Sequence, residues 1–399
     1  MLATLWVMGK HPNHHEGQLS VERDVLVCNS NLLRCGLVLG VQRFMFVRPY
    51  VGNKFCPLGY RDASCSESGQ EVSDKMVADV VESVMGAWFL DSGRCYRDVW
   101  EKILVPFDLV AGAYPSVTPL RTRAAKTQLE LPASDRAKIR AVEKCIGYTF
   151  GVPVLALEAL THASYANDHR LCYQRLEFLG DAVLGMVVTN RLFEVKPALT
   201  PGELTDWRSL AVGNAILAKA AVRLGLHEHM RHHSDALQDD IDSYTRELTA
   251  HSGLDAACDS GCPKVLGDLV EALIGAVFVD SMGDWGRCSV LVQQLVWDPF
   301  IASPLQTYGG RSFGPHRHPV SVLTELVGQS GCHEGIEYAI IDLEDCVRCE
   351  IRFHGQVLAG ANGNNFKRAK KAAAAALVGC DHDPALTVLP LLHRHCQCQ

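Results

Sequence analysis

Apolar residues recur through much of the chain at intervals of three and four, which is the spacing of one face of a helix. One such segment surrounds Asp268, and its apolar positions are Val265, Leu266, Leu269, Val270, Leu273, Ile274 and Val277. Another runs from Arg175 to Phe193, with apolar positions Leu176, Leu179, Val183, Leu184, Val187, Val188 and Leu192. The first segment is apolar over too broad an arc for a half-exposed helix. The pattern predicts buried helices.

The segment around Asp268 has a counterpart near the start of the chain. Residues 75–91 and 264–280 share Lys, Asp, Glu, Gly, Ala and a closing Asp at the same spacing. Upstream, a second pair of blocks is related by a slightly smaller offset: Gly17, Leu19, Arg23, Asn29, Leu32, Leu39 and Gly40 match Gly202, Leu204, Arg208, Asn214, Leu217, Leu224 and Gly225. The sequence therefore predicts a duplicated helical domain.

The two copies differ at their beginning. The second copy has about sixty-five residues ahead of its first matched block, but the first copy has only about fifteen. We therefore expect a truncated first domain (1–110), a linker (111–135) and a complete second domain (136–303). Within the second domain, the polar stretch 231–262 is typical of an exposed insertion between helices.

The periodicity changes after a second predicted linker, 304–318, which is rich in Gly, Arg and Pro. A short amphipathic helix is followed by segments that alternate between apolar and polar residues, as strands do, and then by an alanine-rich helix. The order α-β-β-β-α predicts a small α+β domain over 319–380, followed by a tail over 381–399. The predicted fold class is therefore mainly α.

Composition narrows the classes of protein that fit. Hydrophobic residues make up 48% and charged residues 21% of the chain, which excludes global disorder. The net charge of −7 excludes a globally basic nucleic-acid binder, although a locally basic face remains open. With neither a secretory signal nor a membrane-spanning apolar run, and with sixteen scattered cysteines, we expect an intracellular protein of the nucleus or cytoplasm with reduced thiols.

Two pairs of carboxylates interrupt the apolar helices. Glu177 and Asp181 are four positions apart and Asp268 and Glu271 three apart, so each pair lies on one helix face. Carboxylates in apolar helices need a partner, and divalent cations would relieve the repulsion if the four converged. The alternative is that Asp181 caps a turn and the other three pair with Arg or Lys.

The segment Gln174-Arg-Leu-Glu-Phe-Leu-Gly-Asp-Ala-Val-Leu184 resembles the signature of the ribonuclease III family, and Thr161–Tyr165 and Lys264–Asp268 fit the same family. The resemblance implies a helical, dimerising endonuclease that cleaves double-stranded RNA with Mg²⁺ or Mn²⁺ and leaves 5′-phosphomonoesters. It assigns metal binding and catalysis to Glu177, Asp181, Asp268 and Glu271, with Lys264 as an accessory residue.

Two such domains followed by an RNA-binding domain resemble the C-terminal part of Dicer-like proteins, which implies a role in small-RNA processing or RNA silencing. In the first copy only Asp79 and Glu82 match the carboxylates, so we interpret this copy as a dimerisation half with a degenerate site. The two domains are expected to pair within the chain, or the chain to form a homodimer. Alternatives are a non-catalytic protein that binds double-stranded RNA or dimerises, or a fragment of a longer Dicer.

Two features of the C-terminal region also suggest binding. The cations Lys367, Arg368, Lys370 and Lys371 lie where double-stranded-RNA-binding domains contact phosphates; the alternative is a solvated charged face. The closing Cys-x-Cys is similar to the end of fungal Dicer-like proteins, and this resemblance implies a zinc site. Its candidate ligands are Cys332, His354, Cys396 and Cys398, with His382, His395 and Cys349 as competitors.

Overall fold

The computed structural model describes residues 1–45, 72–126, 131–165, 172–196, 198–250, 262–308, 319–332, 335–343, 346–378 and 384–396. The fold is mainly helical with a small antiparallel sheet near the C-terminus, which confirms the predicted fold class. The chain divides into two compact units, residues 1–191 with 211–299 and residues 192–210 with 300–399. Within the described ranges, each helix is too short or too polar to cross a membrane.

The first copy consists of short helices joined by tight turns. They are α1 (Leu2–Lys10), α2 (Glu16–Val27), α3 (Asn29–Leu39), a 3₁₀ turn (Val41–Phe44), α4 (Asp74–Asp91) and α5 (Tyr96–Val99), which continues into a π-helical turn (Trp100–Leu104). Gly40 ends α3 with a φ of 69°, a conformation that glycine adopts without steric cost. The first predicted linker contains another helix, α6 (Thr118–Lys126).

The second copy repeats this order and adds helices before it. Its elements are α7 (Ala133–Ile146), α8 (Pro153–Ala159), α9 (Gln174–Val195), α10 (Pro201–Ala211), α11 (Asn214–Arg223), a 3₁₀ turn (Leu226–His229), α12 (Asp235–Ala250), α13 (Lys264–Asp280), α14 (Trp285–Val292), a π-helical turn (Gln293–Ile301) and α15 (Ala302–Tyr308). At the offset of the upstream blocks, α2 and α3 match α10 and α11, and the 3₁₀ turn after α3 matches the 3₁₀ turn after α11. At the offset between Lys75 and Lys264, α4 and α5 match α13 and α14. The helices therefore follow the repeat in the sequence.

The stretch 231–262, predicted as an exposed insertion between helices, is mostly exposed where the structure describes it, but it contains a helix that the sequence pattern did not predict. Helix α12 occupies much of it and buries Ile241, Tyr244 and Leu248. These apolar residues are three and four positions apart, so they form one narrow stripe on an otherwise polar helix. The high polar content concealed this stripe. Residues 251–261 of the predicted insertion lie outside the described residues.

The two copies contact each other through equivalent residues. The rings of Tyr96 and Trp285, which occupy matching positions of the repeat, stack with centroids 4.3 Å apart. Tyr96 also packs on Phe89, and Trp285 packs in the same way on Phe278, at 4.9 and 5.0 Å. When residues meet their own counterparts in this way, the contact has local two-fold symmetry, as in a symmetric dimer.

The second unit contains the C-terminal α+β domain. Its elements are α16 (Pro319–Gln329), β1 (Glu337–Asp342), β2 (Val347–Phe353), β3 (Gln356–Gly363), α17 (Phe366–Val378) and α18 (Pro384–His395). The strands form an antiparallel sheet in the order β1-β2-β3. Helix α17 packs on β2 and β3, and Ile351, Phe353 and Ala373 are buried between the sheet and the helices. Helix α18 lies within the predicted tail, and Leu392 on it joins this core.

Helices α9 and α13 cross at two glycines. A Cβ atom on Gly275 would lie 2.1 Å from the backbone oxygen of Leu176, and a Cβ on Gly180 would lie 1.7 Å from the backbone oxygen of Glu271. Real Cβ atoms do not approach other heavy atoms so closely, so only glycine permits this crossing. In the first copy Gly86 occupies the position of Gly275, yet a Cβ on Gly86 would meet no atom of the described residues within 4 Å.

These glycines provide a matched test of the crossing. Gly275→Ala should destabilise the protein by about 1–3 kcal/mol or more, because the added methyl must push two backbones apart. Gly86→Ala should be neutral or stabilise by about 0.5–1 kcal/mol, because alanine favours a helix and has space there. Thermal and urea unfolding followed by circular dichroism would measure both. Equal effects of the two substitutions would contradict this account of the crossing.

Candidate active site

The crossing of α9 and α13 brings together carboxylates that are far apart in the sequence. Carboxylate oxygens of Glu177, Asp268 and Glu271 all lie within 4.8 Å of one another. Asp181 is exposed on the next turn of α9, outside this trio. Its charge nevertheless contributes to the raised pKa of Glu271, so it belongs to the same electrostatic cluster.

The cluster is electrostatically strained. Burial and the neighbouring carboxylate of Asp268 raise the pKa of Glu177 to about 7. Burial, together with the charges of Asp181, Glu177 and Asp268, raises the pKa of Glu271 to about 8. Both values are far above the ordinary value because each ionised group faces like charges in a poorly solvated position. The site therefore favours any added positive charge, whether a proton or a cation.

Lys264 supplies part of that charge. Its Nζ lies 2.6 Å from Asp268 Oδ1 and 3.1 Å from Glu177 Oε1. Burial lowers the pKa of Lys264, but the hydrogen bonds to Asp268 and Glu177 outweigh it and hold the pKa above its usual range. The alternative that the carboxylates pair with Lys or Arg therefore holds in part for Glu177 and Asp268, which both contact Lys264. The pKa of Glu271 remains raised.

Tyr173 is a site residue that sequence reasoning missed. Its hydroxyl donates to Asp268 Oδ2 at 3.2 Å, and the side chain is buried. Burial and the nearby Asp268 raise the pKa of Tyr173 well above its ordinary value, so the hydroxyl remains a donor. The available signal was its position directly before the Gln174–Leu184 signature, at the start of the same helix.

The half-site in the first copy differs in its surroundings. Asp79 pairs with Lys75 at 2.7 Å, as Asp268 pairs with Lys264, but the Asp79 side chain is 48% exposed, against 10% for Asp268. Glu82, the counterpart of Glu271, is also exposed. No helix among the described residues crosses α4 at Gly86, so these carboxylates face solvent.

The four candidate RNA-binding cations lie on the first turns of α17. Lys367, Arg368 and Lys371 are exposed. Lys370 is partly buried, and its Nζ lies 3.8 Å from the centroid of the Tyr338 ring, a cation–π contact. The structure therefore presents three of the four to solvent and packs the fourth against the sheet.

Three candidate zinc ligands lie together in the C-terminal domain. Cys332 Sγ is 3.1 Å from His354 Nε2, and ligand atoms of Cys332, His354 and Cys396 lie within 4.8 Å of one another. Cys398 lies outside the described residues, as does the competitor His382. Cys349 is fully buried in the core and is not part of this group.

Comparison with known proteins agrees with the repeat. The family described as Ribonuclease III domain matches residues 1–93 and 174–282. Endoribonuclease Dicer homolog 1 of Arabidopsis thaliana is 29% identical over 92% of this chain and 20% of that protein. Dicer homolog 4 of Oryza sativa is 34% identical over 78% of this chain and 18% of its own length. Dicer-like protein 1 of Aspergillus terreus is 33% identical, with coverage of 83% and 23%.

Solved structures of lower similarity include a nuclease domain of ribonuclease III from Campylobacter jejuni, 28% identical with a TM-score of 0.33, covering 41% of this chain and 98% of that one. Dicer from Giardia intestinalis is 17% identical with a TM-score of 0.42, covering 74% and 52%. The chain spans about a fifth of the length of its Dicer-like relatives. With both copies matched by the domain family over about half of its residues, the chain belongs to the ribonuclease III family.

Proposed function

We propose that this chain is a Mg²⁺- or Mn²⁺-dependent endoribonuclease that cleaves double-stranded RNA and leaves 5′-phosphomonoesters. The observation that carries the proposal is the convergence of Glu177, Asp268 and Glu271, which repel one another and raise the pKa of Glu271 to about 8. Hard divalent cations prefer such oxygen ligands. The relatives are named as Dicers or Dicer-like proteins, which favours a role in small-RNA processing.

The residues fit divalent cations because their charges are otherwise poorly compensated. Glu177, Asp181, Asp268 and Glu271 would hold the ions. Bound divalent cations would supply an activated water and stabilise the leaving oxygen of a phosphodiester. Tyr173 fixes the orientation of Asp268 through its hydrogen bond. Lys264 bridges Asp268 and Glu177, which reduces the repulsion between these two carboxylates before the substrate arrives.

The first copy serves, in this proposal, as the pairing half. Its aromatic contact with the second copy, Tyr96 on Trp285, supports pairing within one chain. In the described part of the chain no helix crosses α4 at Gly86, and Asp79 and Glu82 are half-exposed and exposed. A paired chain therefore contains one complete carboxylate cage, formed by Glu177, Asp181, Asp268 and Glu271. One cage hydrolyses one strand, and the expected first product is a nicked duplex.

The C-terminal domain would hold the duplex. Lys367, Arg368 and Lys371 project from the start of α17 into solvent, where phosphates can reach them. Contacts of this kind recognise the shape of an RNA helix with little sequence preference. The rival function, RNA binding or dimerisation without catalysis, is favoured only by the incomplete first copy.

We also propose a structural zinc ion in the C-terminal domain, bound by Cys332, His354, Cys396 and Cys398. The proximity of the first three supports it, and Cys₃His is a common zinc ligand set. Such an ion would fix the end of α18 to the sheet and add to folding stability. Loss of one zinc per chain in Cys332→Ser would support this site.

Equivalent carboxylates in the two copies test the catalytic assignment. Asp268→Asn should reduce Mg²⁺-dependent cleavage more than about 100-fold, since it removes a metal ligand, and should leave RNA binding nearly intact. Asp79→Asn, its counterpart in the first copy, should leave cleavage almost unchanged. The assay uses duplex RNA labelled on each strand in turn, at several protein concentrations. Equal losses from both variants, or cleavage of both strands at the lowest concentration, would contradict the single-cage arrangement.

The raised pKa of Glu271 predicts how pH affects metal-free stability. Because its folded pKa is about 8 and its ordinary value 4.5, the folded protein without metal loses stability as pH rises between these values. Added Mg²⁺ should therefore raise the melting temperature more at about pH 8 than at about pH 6. Glu271→Gln should flatten both dependences, whereas Glu82→Gln should not. A Mg²⁺ effect that is independent of pH would refute the prediction.

Salt dependence tests the RNA contacts. Replacing Lys367, Arg368 and Lys371 by Ala should weaken duplex binding and reduce the slope of log affinity against log salt by roughly 0.9 for each phosphate that is no longer neutralised. Arg394→Ala, which removes an exposed cation from α18, is the control. Filter binding or fluorescence anisotropy would measure both, and an unchanged slope in the triple variant would show that phosphates are bound elsewhere.

A further inference from the structure

A second group of potential metal ligands lies in the first copy, away from the carboxylate cage. His11 and His14 come from the loop between α1 and α2, and Glu22 comes from α2. His11 Nε2 is 3.0 Å from Glu22 Oε2, and His14 Nδ1 is 2.9 Å from Glu22 Oε1. Ligand atoms of all three residues lie within 4.8 Å of one another. Their side chains are 28 to 36% exposed, so an ion can enter from solvent.

Ion pairs with Glu22 leave one buried polar atom of this group without a hydrogen bond. The two imidazole rings stack with centroids 4.5 Å apart. His14 Nδ1 is buried and, among the described residues, has no hydrogen-bond partner, although Glu22 Oε1 is close. The nitrogen therefore does not point along a hydrogen bond to that oxygen. A cation between the three groups would satisfy the nitrogen and the carboxylate together.

The loop is held in place by contacts with residues that follow the first copy. Arg175 donates to the backbone oxygen of His14, and Arg123 donates to that of Pro12 at 2.7 Å. At the other end, the backbone N–H of His11 donates to the backbone oxygen of Val7 at 2.9 Å. Because these bonds fix the backbone, the ligands are oriented before any ion arrives, which lowers the entropic cost of binding.

The group is specific to the first copy. The offset that relates Gly17 to Gly202 assigns His11, His14 and Glu22 to Lys196, Leu199 and Trp207, in that order. None of these three side chains is a usual metal ligand. The three ligands are therefore not among the residues that the two copies share, and the second copy, which contains the carboxylate cage, has no matching group of ligands.

We propose that His11, His14 and Glu22 form a binding site for Zn²⁺, with water as a fourth ligand. Two imidazoles and one carboxylate are typical ligands of this ion, and a tetrahedral site needs ligand atoms about 3.4 Å apart, close to the observed 2.9 and 3.0 Å. Arg175 connects the site to the start of α9, just before Glu177. An ion here would stiffen the contact between the loop and α9.

The test is the zinc content of the 399-residue chain, equilibrated with Zn²⁺ in excess Mg²⁺ and then freed of unbound metal. His11→Gln, His14→Gln and Glu22→Gln should each lower zinc by one ion per chain. His233→Gln removes an exposed histidine elsewhere and should leave it unchanged. Combining His14→Gln with Cys332→Ser should lower zinc by one more ion than Cys332→Ser alone, which separates this site from the C-terminal one.

Circular dichroism identifies the variants that remain folded. Because three separate substitutions are tested, the experiment remains informative if one of them prevents folding. Zn²⁺ should also raise the melting temperature of the wild-type chain more than that of a folded Glu22→Gln chain. Wild-type zinc content in the folded variants would overturn the proposal. An equal loss in His233→Gln would also overturn it, because it would indicate non-specific binding by surface histidines.

Discussion

The contact between Gly180 and Gly275 is the constraint on which the candidate active site depends. A methyl group at either position would enter the backbone of the facing helix, so only glycine allows α9 and α13 to approach so closely. This approach is what places Glu177 beside Asp268 and Glu271. Where the crossing is absent from the described structure, as around Gly86, the matching carboxylates remain on an exposed helix face. The convergence of the carboxylates therefore follows from backbone packing before any charge is considered.

The same approach creates electrostatic strain. Carboxylates that the crossing forces together cannot all ionise without compensation, and the raised pKa values of Glu177 and Glu271 record that conflict. Lys264 relieves part of it, and in the proposed enzyme divalent cations relieve the rest. Stability is thus reduced at the position where function needs charge, a common relation between stability and activity. The apolar helices on either side supply the packing that tolerates it.

Much of this arrangement could be predicted from the sequence because it is encoded locally or by repetition. The matched blocks predicted which helices recur, and the alternating segments after the second linker predicted strands, among them β2. Features that depend on long-range packing were missed. The narrow apolar stripe of α12 was hidden by polar residues, and the hydroxyl of Tyr173 reaches Asp268 only in the folded chain. Likewise, spacing alone could not show that the side chains of His11, His14 and Glu22 converge.

The closing aspartate of the repeat shows how context changes the role of a repeated residue. The Asp280 side chain is 2% exposed and accepts hydrogen bonds from the Tyr148 hydroxyl and from the backbone N–H groups of Gly151 and Val152 at 2.8 to 2.9 Å. These partners belong to the segment between α7 and α8, which precedes only the second copy in this chain. Its counterpart Asp91 is exposed. Equal sequence at the two positions therefore produces a buried anchor in one copy and a solvated carboxylate in the other, because burial is decided by the elements that surround a residue.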